Sequence, residues 1–531
     1  ARTIRTWTGT GGANFPPTAQ ATSLTAVDAG VSDYIRGDQT KEIANGGAFR
    51  DRSTVLGDII HSSPFYSKDN NTVFVGANDG MLHAFNASNG EELFAYIPAG
   101  VDIAALRSLA AESYAHAYFV DGPVFVASRA SNADSKNYLV GALGRGGKGV
   151  FGLDVTDPGN FDDSDVLWDF KPATHDLMGN VLGRPIIAKM NDGSTGVIVA
   201  NGPNSANDTA VLYVLNMVNG NVIAEIDTGV GSAAAPNGLS TPRAWDDDGD
   251  GDVDIVYAGD LLGNFWRFNL SSSTPSNWVL PANRLVLHAA KDPGGAAQPI
   301  IGGPSVGIDP VSFKTWVFFG TGRLLNSDDV FNADGTPNTK VQTWYGLIDE
   351  GAAIGARATF LQERKVVAAG TINGTVVRGF EENGDLPAGK KGWFIDLKKP
   401  GTPPIAEGER IIGDTALVGT TLLVSSVIPT SDGCGAGGRG FVNALDAFSG
   451  TSVSENFFDV DNDGEYSDDN VTSGGTNLPV GSVDLGVAMP TQGLLIENLL
   501  FVGGSAGGNN RVKVNNPANQ GRISWRELIK E

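Results

Sequence analysis

The chain is 531 residues long and acidic, with 60 Asp and Glu against 37 Lys and Arg and a formal charge of −23. Duplex nucleic acid and anionic lipid both demand clustered cations, so neither is expected as a partner. Glycine fills 71 positions, about twice the usual ~7%, yet 41% of the chain is hydrophobic, which points to many tight turns between short core-forming strands.

The single cysteine, Cys434, rules out an intrachain disulfide and any multi-cysteine zinc or iron–sulfur centre. No run of 18 apolar residues occurs, so no transmembrane helix is expected. The start, ARTIRTWTG, has neither an initiator Met nor an apolar signal core. The expectation is a fragment of an exported protein whose signal peptide and upstream region lie outside it.

Residues 1–50 are polar and weakly patterned, and are read as an N-terminal linker that packs on a domain spanning 51–531. Within the linker, Arg36-Gly37-Asp38 is an integrin-type tripeptide. Its more economical reading is a structural turn. From residue 73 the dominant pattern is a short apolar run, a Gly/Asn/Asp turn and a second short run, as in VFVGANDGMLHAFNASNGEELFAYI (73–97). Asn-Gly and Asp-Gly steps supply the positive φ that tight hairpins need.

One helix is expected in 102–116, with Asp102 as cap and Ile103, Leu106 and Leu109 on one face. Strand pairs follow at 138–155, 197–226, 254–270, 316–349 and 422–450, and 499–507 reads as a closing strand. GRGGKG (144–149) resembles a phosphate loop but lacks the leading Gly and the Ser/Thr after Lys148, so a hairpin turn is expected. The five histidines, at 61, 83, 116, 175 and 288, show no metal-ligand spacing. Strand-only repeats of this period predict an all-β fold: a seven-bladed β-propeller with loop insertions and few short helices.

The sharpest chemical signal is DDDGDGDVD, residues 246–254. Calcium takes six to eight oxygens, and acids at loop positions 1, 3 and 5 converge on one ion when the chain turns sharply at position 6. Those positions are Asp246, Asp248 and Asp250, with Gly251 turning. Asp252 at position 7 offers its carbonyl, and Asp254 at position 9 closes the site. Position 12, a Glu in an EF-hand, is Tyr257 inside an apolar strand, so the loop joins strands rather than helices.

A second loop, DVDNDGEYSDDN (459–470), repeats the pattern less regularly. Asp459, Asp461 and Asp463 fit positions 1, 3 and 5, and Glu465 is placed to give a carbonyl. Position 9 is Ser467, so closure falls to Asp468 or Asp469.

The blocks FRDRSTVLGDIIHSSPFY (49–66), VFVGANDGMLHAF (73–85), GKGVFGLDVTDP (147–158), NGLSTPRAWDDDGDGDVDIVYAGDLLGNFWRF (237–268) and GRISWREL (521–528) together resemble the C-terminal domain of the PilC/PilY family. Its members are type IV pilus tip-associated adhesins and biogenesis factors. The resemblance runs from about Tyr34 to the end. It implies a modified seven-bladed quinoprotein-like propeller and a nine-residue calcium loop that Asp246, Asp248, Asp250, Asp252 and Asp254 match. It further implies calcium-linked control of pilus extension and retraction in twitching motility, and adhesion and virulence roles at the pilus tip on the cell surface or outer membrane. Minor pilins and a host or abiotic surface are the implied partners.

The expected function is therefore non-enzymatic. Two rivals share the propeller. A quinoprotein-like dehydrogenase commonly needs a vicinal Cys–Cys disulfide that Cys434 alone cannot make, and a carbohydrate-binding propeller needs exposed Trp or Tyr.

Overall fold

The computed structural model describes residues 2–26, 28–170, 175–430 and 437–517. Cys434 and the block at 521–528 lie outside them. The fold is mostly β, with 39% strand and 10% helix, in two compact units: Ala1–Asp260 with Arg267–Leu285, and Leu261–Trp266 with Val286–Glu531.

In the first unit, Phe65–Ser67, Thr72–Gly76, Leu82–Asn86 and Glu92–Ile97 form an antiparallel meander. Segments from the first fifty residues join this sheet and its core, with more structure of their own than a linker needs. Ile4–Trp7 adds a parallel strand beside Glu92–Ile97, and Gly12–Asn14 pairs outside it. Leu24, Val31 and Tyr34, from the short helices Thr18–Leu24 and Val31–Ile35, enter the same core as Phe94 and Leu106. Their apolar residues are too few and too widely spaced to show a period.

The next two sheets run Val124–Val126, Tyr138–Ala142, Val150–Asp154, Val166–Phe170 and Ile186–Lys189, Thr195–Ala200, Thr209–Asn216, Val222–Gly231. Their inner strands are apolar on both faces because each sheet is covered on both sides. In Tyr138–Ala142, Tyr138, Val140 and Ala142 join Val197 and Tyr213 of the following sheet, while Leu139 turns back to Phe94 and Tyr96. Arg243–Trp245 and Ile255–Gly259 then form a hairpin.

The second unit holds sheets of five, six and four strands. Ser305–Ile308, Thr315–Gly320, Thr343–Ile348 and Gly392–Asp396 are antiparallel, with Gln362–Arg364 a parallel edge. In the next sheet, Ser482–Val483 pairs with both Thr375–Phe380 and Gly438–Asp446, an interleaving no local pattern announces. The last sheet runs in the order Phe458–Asp459, Asn509–Val514, Leu499–Gly503, Leu494–Ile496. Leu499–Gly503 is thus an inner strand, and the closing-strand expectation is corrected: Asn509–Val514 separates it from Phe458–Asp459.

Two tryptophans tie successive sheets together in the same way. Trp168 Nε1 donates to the Met217 carbonyl at 2.7 Å, and Trp393 Nε1 to the Ala447 carbonyl at 2.8 Å. Each ring lies on a glycine of the receiving turn, where a Cβ on Gly220 or Gly450 would stand 2.7 or 2.5 Å from it.

The expected helix begins where Asp102 accepts from the N–H groups of Ala104 and Ala105, but it covers only Ile103–Arg107 before tightening into a 3₁₀ turn at Ser108–Ala110. Ile103, Leu106 and Leu109 are spaced by three, which suits the tighter helix as well as the α-helix. GRGGKG is the hairpin turn expected, between Tyr138–Ala142 and Val150–Asp154. Among the described residues no helix is long and apolar enough to cross a membrane.

Candidate metal centres

The loop at 246–254 is the tip of the hairpin Arg243–Trp245/Ile255–Gly259, with Trp245 opposite Ile255. Carboxylate oxygens of Asp246, Asp248 and Asp250 lie within 4.8 Å of one another. The loop's own N–H groups hold them there. Asp246 accepts from Gly249 at 2.7 Å and Gly251 at 2.8 Å, Asp248 from Asp250 at 3.1 Å, and Asp250 from Asp252 at 2.9 Å. Gly251 adopts φ +95°, a conformation that other residues reach only at a cost, so the sharp turn at position 6 is real.

Asp254 is 6% exposed and outside that cluster. It accepts from the Asp247 N–H at 2.9 Å and from Asn191 Nδ2 at 3.3 Å, so it pins the loop's second residue to its last. The Asp252 carboxyl is pushed up by burial and by the Asp250 charge, with Lys189 opposing. Tyr257 sits buried in its strand, as the sequence requires.

The loop at 459–469 repeats four of these loop hydrogen bonds, without the position-4 bond or the Asn191 contact. Oxygens of Asp459, Asp461 and Asp463 again lie within 4.8 Å. Asp459 accepts from Gly464 at 3.1 Å, Asp461 from Asp463 at 3.3 Å, and Asp463 from Glu465 at 2.8 Å. Gly464 has φ +94°. The pin to the second residue comes from Asp469, which accepts the Val460 N–H at 3.0 Å. Asp469 is 2% exposed and Asp468 is exposed, so Asp469 takes the place of Asp254 in the hydrogen-bond scaffold, and like Asp254 it lies outside the three-acid cluster. Burial, reinforced by Asp461, Asp459 and Asp468, pushes the Asp469 carboxyl up to about 6. Glu465 is exposed, and only its N–H is engaged within the loop scaffold.

The other candidates resolve as structural groups. Arg36 donates to the carbonyls of Phe15 and Arg2, Asp38 accepts the Thr40 N–H at 2.7 Å, and Arg52 holds the Asp38 carbonyl at 2.9 Å. The tripeptide is the turn that ends Val31–Ile35, with its guanidinium committed to the fold. His83 is buried between Asp79 and Glu92, a cluster without sequence signal because Glu92 arrives from the next strand. Trp168, Trp266, Trp278, Trp316, Trp344 and Trp393 are buried, and Trp7 and Trp245 are half-buried.

A family model described as the PilY1 beta-propeller domain matches residues 54–368. The chain belongs to the PilY1 β-propeller family. A type IV pilus biogenesis factor PilY1 homolog of Xylella fastidiosa is 35% identical over 96% of this chain and 42% of its own length. The type IV pilus biogenesis factor PilY1 of Pseudomonas aeruginosa is 32% identical over 83% of this chain and 43% of its own. The chain therefore spans about two fifths of the curated relatives it matches. The crystal structure of the P. aeruginosa PilY1 C-terminal domain superposes with a TM-score of 0.66 at 29% identity, covering 84% of this chain and 92% of that one. The PilY1 model match contains the loop at 246–254 and ends before the loop at 459–469.

Proposed function

We propose that this chain is the calcium-binding β-propeller domain of a type IV pilus tip adhesin and biogenesis factor, in which ion occupancy at 246–254 biases pilus extension against retraction. The observation that carries the reading is the convergence of Asp246, Asp248 and Asp250 on a hairpin tip whose N–H groups already hold them. An oxygen-only donor set selects calcium or magnesium over softer metals, and a flexible many-liganded loop favours calcium. Family membership supports the pilus context. In this reading the six sheets and the hairpin at 243–259 provide seven blades, the site is exposed at the cell surface, and minor pilins and a host or abiotic surface are the partners. The domain binds and signals rather than catalyses.

Calcium titration of the purified chain, paired with twitching and piliation assays of the full-length protein, tests this. Asp250→Ala should weaken binding at this loop by at least tenfold with the fold intact. Asp250→Lys, whose ammonium stands in for the ion, should give the opposite motility phenotype. Identical motility for wild type and both variants would refute the switch, and unchanged calcium binding in Asp250→Ala would refute the site.

A further inference from the structure

We propose that residues 459–469 form a second divalent-cation site, an eleven-residue relative of the nine-residue loop, with Asp459, Asp461, Asp463 and Asp469 as its carboxylate ligands and calcium as its ion. Two features carry this independently.

The first is the shared scaffold. In both loops the position-1 acid accepts from the N–H at position 6, the position-3 acid from position 5, the position-5 acid from position 7, and the closing acid from position 2. The two extra residues therefore leave these four bonds in place and are absorbed between positions 7 and 11, although the position-4 N–H that Asp246 accepts in the first loop has no counterpart in the second.

The second is unspent acceptor capacity in the interior. Asp459 is 1% exposed and Asp469 2% exposed, yet Asp459 Oδ1 and Asp469 Oδ2 are buried without a hydrogen-bond partner. A buried carboxylate oxygen without a donor is costly, and such groups in a native fold call for an ion or water. The protein cation at hand, Lys513, stands 3.6 Å from the other Asp459 oxygen, beyond hydrogen-bond reach, and its side chain is 41% exposed. Lys513 cannot satisfy both the three converging acids and the buried Asp469. In the first loop the closing Asp254 has donors on both oxygens, so this excess is a property of the second loop alone.

An ion also has a way in. Asp459, Val460 and Asn462 line an open cleft shared with Arg511 and Lys513. Four carboxylates, formally −4, suit a hard dication that accepts six to eight oxygens.

The test is calorimetric titration of calcium chloride into the chelator-stripped full chain. Wild type should take two equivalents. Asp250→Ala and Asp461→Ala should each take one, and the double variant none. Asp461 is only half-buried, so its replacement spares the core. Retention of the wild-type stoichiometry by Asp461→Ala would overturn the second site. So would a wild-type protein with one equivalent that Asp250→Ala abolishes, an outcome that leaves the first loop standing. One equivalent persisting in Asp250→Ala and lost when Asp461→Ala is added upholds the second site, whatever the motility assays say of the first. The closing ligand is tested separately: Asp469→Asn should weaken the second site at least tenfold, and Asp468→Asn should not. Equal effects from the two would overturn the assignment of Asp469.

Discussion

The loops at 246–254 and 459–469 share a hydrogen-bond scaffold but handle their charge oppositely. In the first, Asp248 and Asp250 face water and the buried Asp254 spends both oxygens on donors, Asp247 and Asn191. In the second, Asp459 and Asp469 each keep a buried oxygen unspent. A hairpin that is already satisfied can gain and lose an ion without losing its shape, as a reversible sensor must. On the proposed second site, a loop that buries uncompensated acids is stabilised by its cation, as a structural clamp is. The proposal thus assigns one sequence pattern two roles, distinguished by the closing residue.

The contrast is sharpest against a third cluster, where buried acids are neutralised by the protein itself. His83 is held by Glu92 at 2.8 Å and Asp79 at 3.1 Å, and Arg2 grips Glu92 with two bonds of 2.6 Å. Burial opposes a charge on His83, yet the two acids keep it protonated up to about 9. Because the folded value lies above the ordinary histidine value of 6.5, this stabilisation is complete below pH 6.5 and is lost as pH rises through 9. The expected loss is on the order of 3 kcal/mol, read as a falling denaturation midpoint that calcium does not restore and that His83→Gln abolishes. A flat midpoint from pH 6.5 to 9 would show that the cluster carries no such linkage.

Next in size is the response to chelation. With free calcium about 100 times the dissociation constant, each occupied site adds roughly 2.7 kcal/mol. Hydrogen exchange should show the amides of Val460 and Gly464 losing protection on chelation far more than those of Asp247 and Gly251. Equal loss at both loops would erase the distinction between sensor and clamp. The smallest effect concerns the pin. Asn191→Ala removes donors to Asp254, Val253 and Leu270, and should cost about 1 kcal/mol in calcium-free protein. The second loop's exchange rates should not change.

Much of this was open to a reader of the sequence, for physical reasons. Positions 1, 3, 5 and 6 of both loops are fixed by side-chain reach, so their spacing survives in the linear chain. The closing residue is not fixed in that way: a two-residue insertion moves it from Asp254's position to Asp469's, and Asp468 beside it is chemically identical. Burial and the bond from the Val460 N–H separate them. The strand pairs announce themselves because Asn-Gly and Asp-Gly turns are local. The pairing of Ser482–Val483 with strands about forty and a hundred residues away, and the packing of Leu24, Val31 and Tyr34 into the first core, depend on distant partners and leave no period.

The tryptophan ties carry a consequence for how such chains diversify. Trp168 and Trp393 fix the separation of neighbouring sheets by the thickness of one indole ring and one carbonyl contact. The stack is thereby gauged at a few interior points, and chain inserted at the sheet ends does not accumulate as misalignment. Length is free to drift at the rims while the positions of Gly220 and Gly450 admit no added carbon. The two acidic loops, nine and eleven residues long, fit that tolerance: two residues more in the second leave the hairpin bonds shared with the first in place.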